Sequence, residues 1–379
     1  MLNSHDDFTP LSEIIVGSAE NYLGHDRDLT FELFFHEALD GYRSDWAYPR
    51  LAARGTGQAQ QWKISRSYTD ELHEDVEALA TLIASLGITV HRPLPLPADA
   101  AAIAGLGWQA APTPALNIRD NTLILGDEII ETAPAIRSRY LETRLLAPIF
   151  RRYFDAGARW STMPRPTLTD TSFDLSYARD AATTLGGPTE PVTDPQPSPY
   201  DVGIEMMLDG AQVLRLGQDL IVNIAQDNHR TGADWLERQL QGRFRVHRVW
   251  RMADNHIDSM LLALRPGVFL ARHAGLRDLI PEAFRTWKFI VPPEPDPGSF
   301  PAYNDTDLLL TSPYIDINVL SLDEDRVLVN ADCSGLIKTL EAEGFTVIPV
   351  QHRHRRLFGG GFHCFTLDTR RSGGAEDYR

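Results

Sequence analysis

Five short apolar runs recur along the chain, and each ends at a small or turn-forming residue. They occupy residues 13–17, 122–126, 219–223, 267–271 and 326–330. Continuous apolar runs of this length are typical of strands that are buried on both faces. The pattern therefore predicts five buried strands.

Several of these runs are followed by a helical pattern and then by a second strand. Between Asp70 and Leu86 the apolar residues are spaced alternately four and three apart, which predicts one amphipathic helix. Gly87 ends this helix, and residues 88–90 predict the returning strand. Two further helix–strand pairs are predicted, at 235–240 with 244–247 and at 336–343 with 345–348.

Fivefold recurrence of one supersecondary unit indicates a closed radial array. The spacing of the units is uneven, so insertions would separate them, and an ordinary α/β sheet with similar strands is the alternative. Two proline-rich stretches, near residues 186–200 and 292–301, predict long loops. Neither stretch divides regions of different composition, and we therefore expect a single domain over residues 1–379.

The composition narrows the class of protein. The chain has 379 residues, of which 43% are hydrophobic and 23% charged, as in ordinary soluble globular proteins. Its net charge of −16 argues against a nucleic-acid partner or an anionic membrane surface, and no apolar run reaches membrane-spanning length. Two cysteines cannot form a disulfide framework, and the acidic start resembles no secretory signal, so we expect a cytoplasmic protein.

A glycine-rich loop carries one of the two cysteines. Residues 359–361 are all glycine, and Cys364 follows them beside His363 and ahead of an arginine pair at 370–371. Glycines let the backbone approach a ligand closely, and nearby positive groups lower the pKa of a thiol and favour the nucleophilic thiolate. We therefore expect a reactive thiolate, although a surface turn with a small buried cysteine is the simpler interpretation of such a loop in isolation.

Carboxylates and a histidine elsewhere are candidate partners of that cysteine. His256 lies between Asp254 and Asp258, and alternate residues of an extended chain share one face, so the carboxylates would orient the imidazole and raise its pKa. Asp120 and Asp209 each lie near one of the repeated strands, where loops build sites on a rigid scaffold. Taken singly, each of these clusters is more often a solvated loop, a turn or a cap.

Metal and nucleotide sites are disfavoured by the sequence. His352 and His354 form an H-x-H pair, but the three arginines at 353, 355 and 356 would repel a cation. The sequence has no glycine-rich dinucleotide motif and no P-loop. We therefore expect neither a metal nor a cofactor.

Several ordered segments resemble the arginine:acceptor amidinotransferases, a family that includes glycine amidinotransferase and inosamine-phosphate amidinotransferase. The resemblance extends from about Glu13 to the C-terminus. The segments that carry it are 117–120, 126–131 with 137–139, 153–160, 164–167, Asp209, 256–258, 317–320 and 359–371.

The resemblance implies a fold and a site. The fold is the five-bladed α/β propeller of guanidine-modifying enzymes, with ββαβ repeats, which agrees with the fivefold recurrence of strands. Cys364 matches the nucleophile, His256 the general acid/base and Asp209 the carboxylate that completes the triad. The substrate-binding positions that we assign on this basis are Asp120, Asp258, Ser312, Arg119, Asn255 and Arg272.

The resemblance also implies a reaction. L-Arginine would donate its amidino group to Cys364 and L-ornithine would leave, after which an acceptor amine would take the group from sulfur. The substrates are then two small molecules, no cofactor is required, and a homodimer is expected.

Two departures from the glycine enzyme bear on its substrates. The position of the arginine that binds the donor carboxylate there corresponds to Gly275 here, with Arg272 and Arg277 nearby. Ala253 and Asn255 stand where that enzyme has an asparagine and a bulky methionine, which suggests a more open acceptor pocket. We expect an acceptor larger than glycine, such as a diamine, an amino sugar or a cyclitol amine, used in natural-product biosynthesis.

Two other functions remain open at this point. A hydrolase of the same fold, either an arginine deiminase or a dihydrolase, would use water in place of the amine. A catalytically silent relative would bind arginine or a partner protein, although the presence of Asp209, His256 and Cys364 argues against it.

Overall fold

A computed structural model describes residues 1–36, 60–61, 64–173, 203–253, 255–304 and 309–379. The α-helices in these ranges are α1 (Leu29–His36), α2 (Arg66–Ser85), α3 (Ala147–Asp155), α4 (Asp227–Leu240) and α5 (Ser334–Ala342). The strands are β1 (Leu11–Val16), β2 (Asp26–Arg27), β3 (Gln60–Gln61), β4 (Thr89–His91), β5 (Ile103–Ala104), β6 (Gln109–Ala110), β7 (Thr122–Leu125), β8 (Glu128–Glu131), β9 (Arg159–Thr162), β10 (Val213–Leu216), β11 (Asp219–Ile224), β12 (Arg245–Trp250), β13 (Leu261–Arg265), β14 (Val268–Ala271), β15 (Lys288–Ile290), β16 (Leu320–Ser321), β17 (Arg326–Asn330), β18 (Thr346–Val350) and β19 (Thr366–Arg371).

Five three-stranded sheets of one kind form the framework. Their strand orders are β19-β1-β4, β7-β8-β9, β10-β11-β12, β13-β14-β15 and β16-β17-β18. In each sheet the first strand is antiparallel to the central strand and the third is parallel to it. The first sheet joins the two ends of the chain, because β19 pairs with β1. Within the described ranges the sheets are separate, and none closes on itself.

The five predicted strands are all present. Four of them are the central strands β1, β11, β14 and β17, whereas the run at 122–126 is β7, an outer strand whose central partner is β8. The central strand β11 is buried along its whole length, as its continuous apolar run predicts.

Crossover helices join the central strands to their parallel partners. Helix α2 links β1 to β4 and buries Leu72, Val76, Leu79 and Ile83, members of the predicted apolar stripe. It begins four residues before the predicted start and ends at Ser85, and Gly87 then adopts a φ of +83°. Glycine is favoured there because the left-handed region costs it no Cβ clash. Helices α3, α4 and α5 occupy the same place in three other sheets.

A buried network of ion pairs lies beneath the loop that carries Cys364. Asp368 on β19 accepts hydrogen bonds from Arg119 and Arg215, and Asp7 also pairs with both arginines. All four side chains are almost fully buried. Since an unpaired buried charge is costly, the network fixes the positions of the segments that it joins.

Of the two proline-rich stretches, the structure describes only the second, residues 292–301. Residues 186–200 lie outside the described residues, so the loop expected there stays a prediction. Residues 292–301 contain only the short 3-10 helix Pro297–Ser299. Among the described residues, no helix is long and apolar enough to cross a membrane.

Candidate active site

In each of the five sheets, a polar residue precedes the first strand by two to four positions along the chain. These residues are Asp120, Asp209, Asp258, Asn318 and Cys364. The hydrogen bonds and ion pairs described below join them into one site. Asp120, Asp258 and Cys364 line a pocket of about 650 Å³, part of which is open to solvent.

Cys364 is held by the side chain of Asn318. The amide oxygen of Asn318 accepts hydrogen bonds from the backbone N–H groups of Gly361, at 3.1 Å, and of Cys364, at 3.0 Å. A Cβ on Gly360 would lie 2.4 Å from Asn117 Oδ1 and 3.1 Å from Cys364 Cβ. The glycine at position 360 is therefore required by close packing against Asn117 and Cys364.

His256 is bound between two carboxylates. Its Nε2 lies 2.8 Å from Asp209 Oδ2, and its Nδ1 lies 3.7 Å from Asp120 Oδ1. Burial alone would lower the pKa of His256, but the charges of Asp120 and Asp209 and the hydrogen bond to Asp209 outweigh it and raise the pKa to about 9. The imidazole is therefore protonated near neutral pH and can act as a general acid.

Asp258 lies beside the thiol. Its Oδ2 accepts a hydrogen bond from Cys364 Sγ at 3.4 Å and another from His363 Nδ1 at 2.7 Å. Burial would raise the pKa of Asp258, but the hydrogen bond from His363 and the charges of His363, His256 and Arg119 lower it below its usual value. Asp258 is therefore ionised and keeps a negative charge beside the sulfur.

Three buried side-chain oxygens, on residues that line the pocket, accept no hydrogen bond from the described part of the chain. They are Oδ1 of Asn117, Oδ1 of Asp120 and Oδ1 of Asp258. The other carboxylate oxygen of Asp120 accepts from Arg139 at 2.6 Å, which orients that carboxylate. A buried acceptor without a donor is costly, and three of them around one pocket fit a ligand that brings several N–H groups.

The charges around the Cys364 thiol are negative, whereas positive charges were expected from the sequence. Burial raises the pKa of Cys364 well above its usual value, and the negative charges of Asp258 and Asp120 raise it further. The arginine pair does not offset this, because Arg371 bonds to Asp368 and Arg370 to Glu13. The expectation of an electropositive setting was wrong, since both arginines pair with carboxylates that do not line the pocket, Arg371 on the buried side of β19 and Arg370 on its exposed side.

Four further residues were predicted from the sequence to bind the substrate, namely Asn255, Arg119, Ser312 and Arg272. Asn255 lines the pocket and donates to the backbone oxygen of Phe34. Arg119 is a structural residue, and its guanidinium bonds to Asp7, to Asp368 and to the backbone oxygen of His363.

Ser312 and Arg272 are not among the described residues that line the pocket. The Ser312 hydroxyl accepts from the N–H of Tyr314 at the start of a 3-10 helix, and the Arg272 guanidinium lies over the Tyr314 ring. Ala253 is packed in a hydrophobic core, so it is no wall of the pocket, and Asp254 lies outside the described residues.

Sequence reasoning gave no role to Asn117, Arg139 or Asn318, and it considered His363 only as a positive group beside the thiol. Asn117 and Arg139 lie in segments that carry the family resemblance, and Asn318 belongs to another of them. Their contacts join residues far apart in the chain, as the 2.7 Å bond between His363 and Asp258 illustrates. Spacing along the sequence alone therefore offers no signal for these roles.

The arrangement suits attack on a planar cation. A guanidinium has five N–H donors in one plane and is always charged, which matches the free oxygens and carboxylates of the pocket. The thiol lies at the edge of this acceptor set, and His256 can supply a proton to a departing amine.

Comparison with known proteins adds an independent finding. No protein-family model matches the chain. It is 32% identical to inosamine-phosphate amidinotransferase 1 of Streptomyces glaucescens, over 100% of this chain and 99% of that protein. It is 33% identical to the L-arginine:L-lysine amidinotransferase of Pseudomonas savastanoi pv. phaseolicola, over 82% of this chain and 81% of that protein. The solved structure of the inosamine-phosphate amidinotransferase of Streptomyces griseus matches with a TM-score of 0.80 at 30% identity, covering 100% of this chain and 99% of that one.

Proposed function

The chain belongs to the amidinotransferase family, and we propose that it transfers the amidino group of L-arginine to an amine through a covalent bond to Cys364. The observation that carries this proposal is the position of Cys364 Sγ, 3.4 Å from Asp258, in a pocket lined by unbonded carboxylate and amide oxygens. The names of the relatives support a donated amidino group.

The donor guanidinium would lie across Asp120 and Asp258. Each carboxylate has one oxygen that accepts a hydrogen bond from a protein group and a second that accepts none from the described part of the chain, although Oδ1 of Asp120 also lies 3.7 Å from His256 Nδ1. Asn117, which also lines the pocket, has a third buried oxygen, Oδ1, that accepts no hydrogen bond from the described part of the chain. Hydrogen bonds between charged groups are roughly twice as strong as neutral ones, so the two carboxylates would fix the plane of the guanidinium.

In the first half of the reaction, Sγ of Cys364 would attack the central guanidinium carbon. A bond forms between sulfur and carbon, and the bond from that carbon to the δ-nitrogen of the ornithine portion breaks. His256, protonated near neutral pH, gives its proton to this nitrogen, and L-ornithine leaves. The amidino group stays on sulfur as an isothiouronium cation between the two carboxylates.

In the second half, the neutral amino group of the acceptor attacks the same carbon. His256, now without its proton, takes a proton from the attacking nitrogen, and the carbon–sulfur bond breaks to release the cysteine. The imidazole ends the cycle protonated, as it began. Phe34, Ile136 and Leu310 form an apolar side of the pocket that helps to keep water from the cationic intermediate.

The high pKa of the thiol links its reactivity to the donor. The negative charges of Asp258 and Asp120 make a second anion beside them costly. A bound guanidinium neutralises these carboxylates, so it lowers the cost of ionising Cys364. The thiol proton would then pass to solvent when the donor binds, and the thiolate released at the end of the cycle would take a proton back from solvent. The free enzyme thus keeps its cysteine protonated and less prone to oxidation.

We infer that the acceptor is larger than glycine, as a diamine, an amino sugar or a cyclitol amine is. Its support is the polar side chains of Asn255, Ser259 and Thr311 on the lining of a pocket that opens to solvent. The names of two relatives specify inosamine phosphate and lysine, which are both larger than glycine, whereas other relatives are named for glycine itself. A role in natural-product biosynthesis and a cytoplasmic homodimer belong to the same proposal.

We also propose that the five sheets are the blades of an α/β propeller around the site. Support comes from their common strand order and from the five polar residues that precede their first strands. A single domain over residues 1–379 follows from this arrangement.

An assay of ornithine release separates this function from the hydrolase alternative. The proposal predicts that L-arginine alone gives at most one ornithine for each enzyme, and that a suitable amine restores turnover with an amidinated product. Steady release of ornithine, or of citrulline, without any amine would overturn it. A panel of glycine, lysine, diamines and cyclitol amines would then identify the acceptor.

A further inference from the structure

His363 connects an active-site carboxylate to the buried ion-pair network. Its Nδ1 lies 2.7 Å from Asp258 Oδ2, and its Nε2 lies 3.6 Å from Asp7 Oδ1. Asp7 in turn pairs with Arg119 and Arg215. The imidazole thus spans two carboxylates, one that faces the pocket and one that is part of the fixed framework.

The backbone of His363 is fixed as well. Its carbonyl accepts from Arg119 Nε at 2.9 Å, and its N–H donates to the backbone oxygen of Asn318 at 3.3 Å. Since the side chain is almost fully buried, the ring has little freedom to change its orientation. A ring held in this way can impose one orientation on a carboxylate that it bonds.

We propose that His363 is the positioning residue for Asp258 and, through it, for the donor guanidinium. Its Nδ1–H donates to Oδ2 of Asp258, and Oδ1 of the same carboxylate accepts no hydrogen bond from the described part of the chain, so Oδ1 would be the oxygen that binds the substrate. Asp258 can only accept, so Nδ1 carries the proton in this bond. His363 itself contacts no reacting atom in this scheme. The inference rests on the proposed function, because it assigns Asp258 to the donor.

Two substitutions distinguish the contact of Nδ1 with Asp258 from the contact of Nε2 with Asp7. In His363→Asn the amide nitrogen lies near the position of Nδ1 and keeps the donor to Asp258, whereas in His363→Gln it reaches towards the position of Nε2 and Asp7. His363→Leu removes both. His354→Leu is the matched control, since His354 is also a buried imidazole that bonds a carboxylate, Glu71, outside the pocket.

The experiment measures the amidination of Cys364 by L-arginine in single-turnover mixtures, followed by intact-protein mass spectrometry. For His363→Leu and His363→Gln we expect the half-saturating arginine concentration to rise about 10- to 100-fold, because a bond to a charged group is lost. For His363→Asn we expect it to stay within about threefold of wild type, and for His354→Leu to be unchanged. A purely structural role would lower the fraction of protein that reacts without changing the half-saturating concentration.

The outcomes are distinguishable. If wild-type protein takes up no amidino group, the proposed function fails. If wild type reacts and His363→Leu has the wild-type half-saturating concentration, or if Asn rescues no better than Gln, the positioning role is overturned. If His363→Leu does not fold, as judged by its thermal transition, the comparison of Asn with Gln decides the question.

Discussion

His256 Nε2 lies 2.8 Å from Oδ2 of Asp209, a carboxylate that precedes the first strand of a different sheet. This hydrogen bond and the nearby charge of Asp120 raise the pKa of His256 to about 9, in spite of burial, which acts in the opposite direction. The imidazole is therefore already protonated at neutral pH, as the general acid of the proposed reaction must be.

Replacing Asp209 with asparagine should weaken this acid. Loss of the carboxylate charge lowers the pKa of His256, so the protonated fraction falls at a lower pH. We expect wild-type amidination of Cys364 to decline as the pH rises through about 9. Asp209→Asn should be slower by roughly 100-fold, with its decline displaced to lower pH. Rates measured from pH 6 to pH 10 check this, with the exposed Asp278→Asn as a control. If the amidination rate declines over the same pH range in wild type and in Asp209→Asn, Asp209 does not set the pKa of His256.

The same histidine should make stability depend on pH. Its pKa is raised on folding from 6.5 to about 9, so its contribution is complete below pH 6.5 and is lost as the pH rises through about 9. The shift corresponds to about 3 kcal/mol of unfolding free energy. Urea titrations at pH 6 and pH 9.5 should show wild type losing about this much more than His256→Asn. An equal loss in both proteins would assign the dependence to other groups.

Asp258→Asn should increase the reactivity of Cys364 towards iodoacetamide in the absence of arginine. Removal of one of the two charges that raise the thiol pKa increases the thiolate fraction. We expect labelling at pH 8 to be faster on the order of tenfold, since one pKa unit is a tenfold change in that fraction. Cys333, whose pKa is raised chiefly by burial and by Asp316, is the internal control and should label at an unchanged rate. Faster labelling of both cysteines would indicate general loosening of the fold.

Gly360→Ala should displace Cys364 without changing any of the groups proposed to take part in the reaction. The new Cβ would lie 2.4 Å from Asn117 Oδ1, so the loop must shift. We expect a loss of about 1–3 kcal/mol in unfolding free energy from overpacking, and a rate of Cys364 amidination lower by about 100-fold because small misplacements are costly. Gly374→Ala, where a Cβ meets only the Glu376 side chain at 3.8 Å, should leave both unchanged. Wild-type rates in Gly360→Ala would contradict the close packing described at this glycine.

The strands were predictable because burial on both faces leaves a continuous apolar run. The helix over Arg66–Ser85 was predictable because its stripe of Leu72, Val76, Leu79 and Ile83 packs on the core. The run at 122–126 was identified as one of the repeated strands, yet it is the outer strand β7. An apolar run indicates that a strand is buried, but it does not indicate which strands it pairs with.

Part of the candidate site was predictable from the sequence, whereas its electrostatics was not, and neither was the position of Ser312 and Arg272, which are not among the described residues that line the pocket. Cys364, His256, Asp209, Asp120 and Asp258 do meet in space. The basic appearance of the sequence around Cys364 was misleading, since Arg371 is fully buried against Asp368 and Arg119 serves the same network. Charges close in sequence act on a group only if the fold directs them to it, and that depends on contacts such as His363 with Asp258, more than one hundred residues apart.

The most direct measurement is intact-protein mass spectrometry of the enzyme incubated with L-arginine alone. The account predicts a mass gain of one amidino group on wild type, located on Cys364 by peptide mapping, with one ornithine released and no gain on Cys364→Ala. Addition of the correct amine should then remove the group from the protein. A gain on a residue other than Cys364, or ornithine formation by Cys364→Ala, would contradict the covalent mechanism.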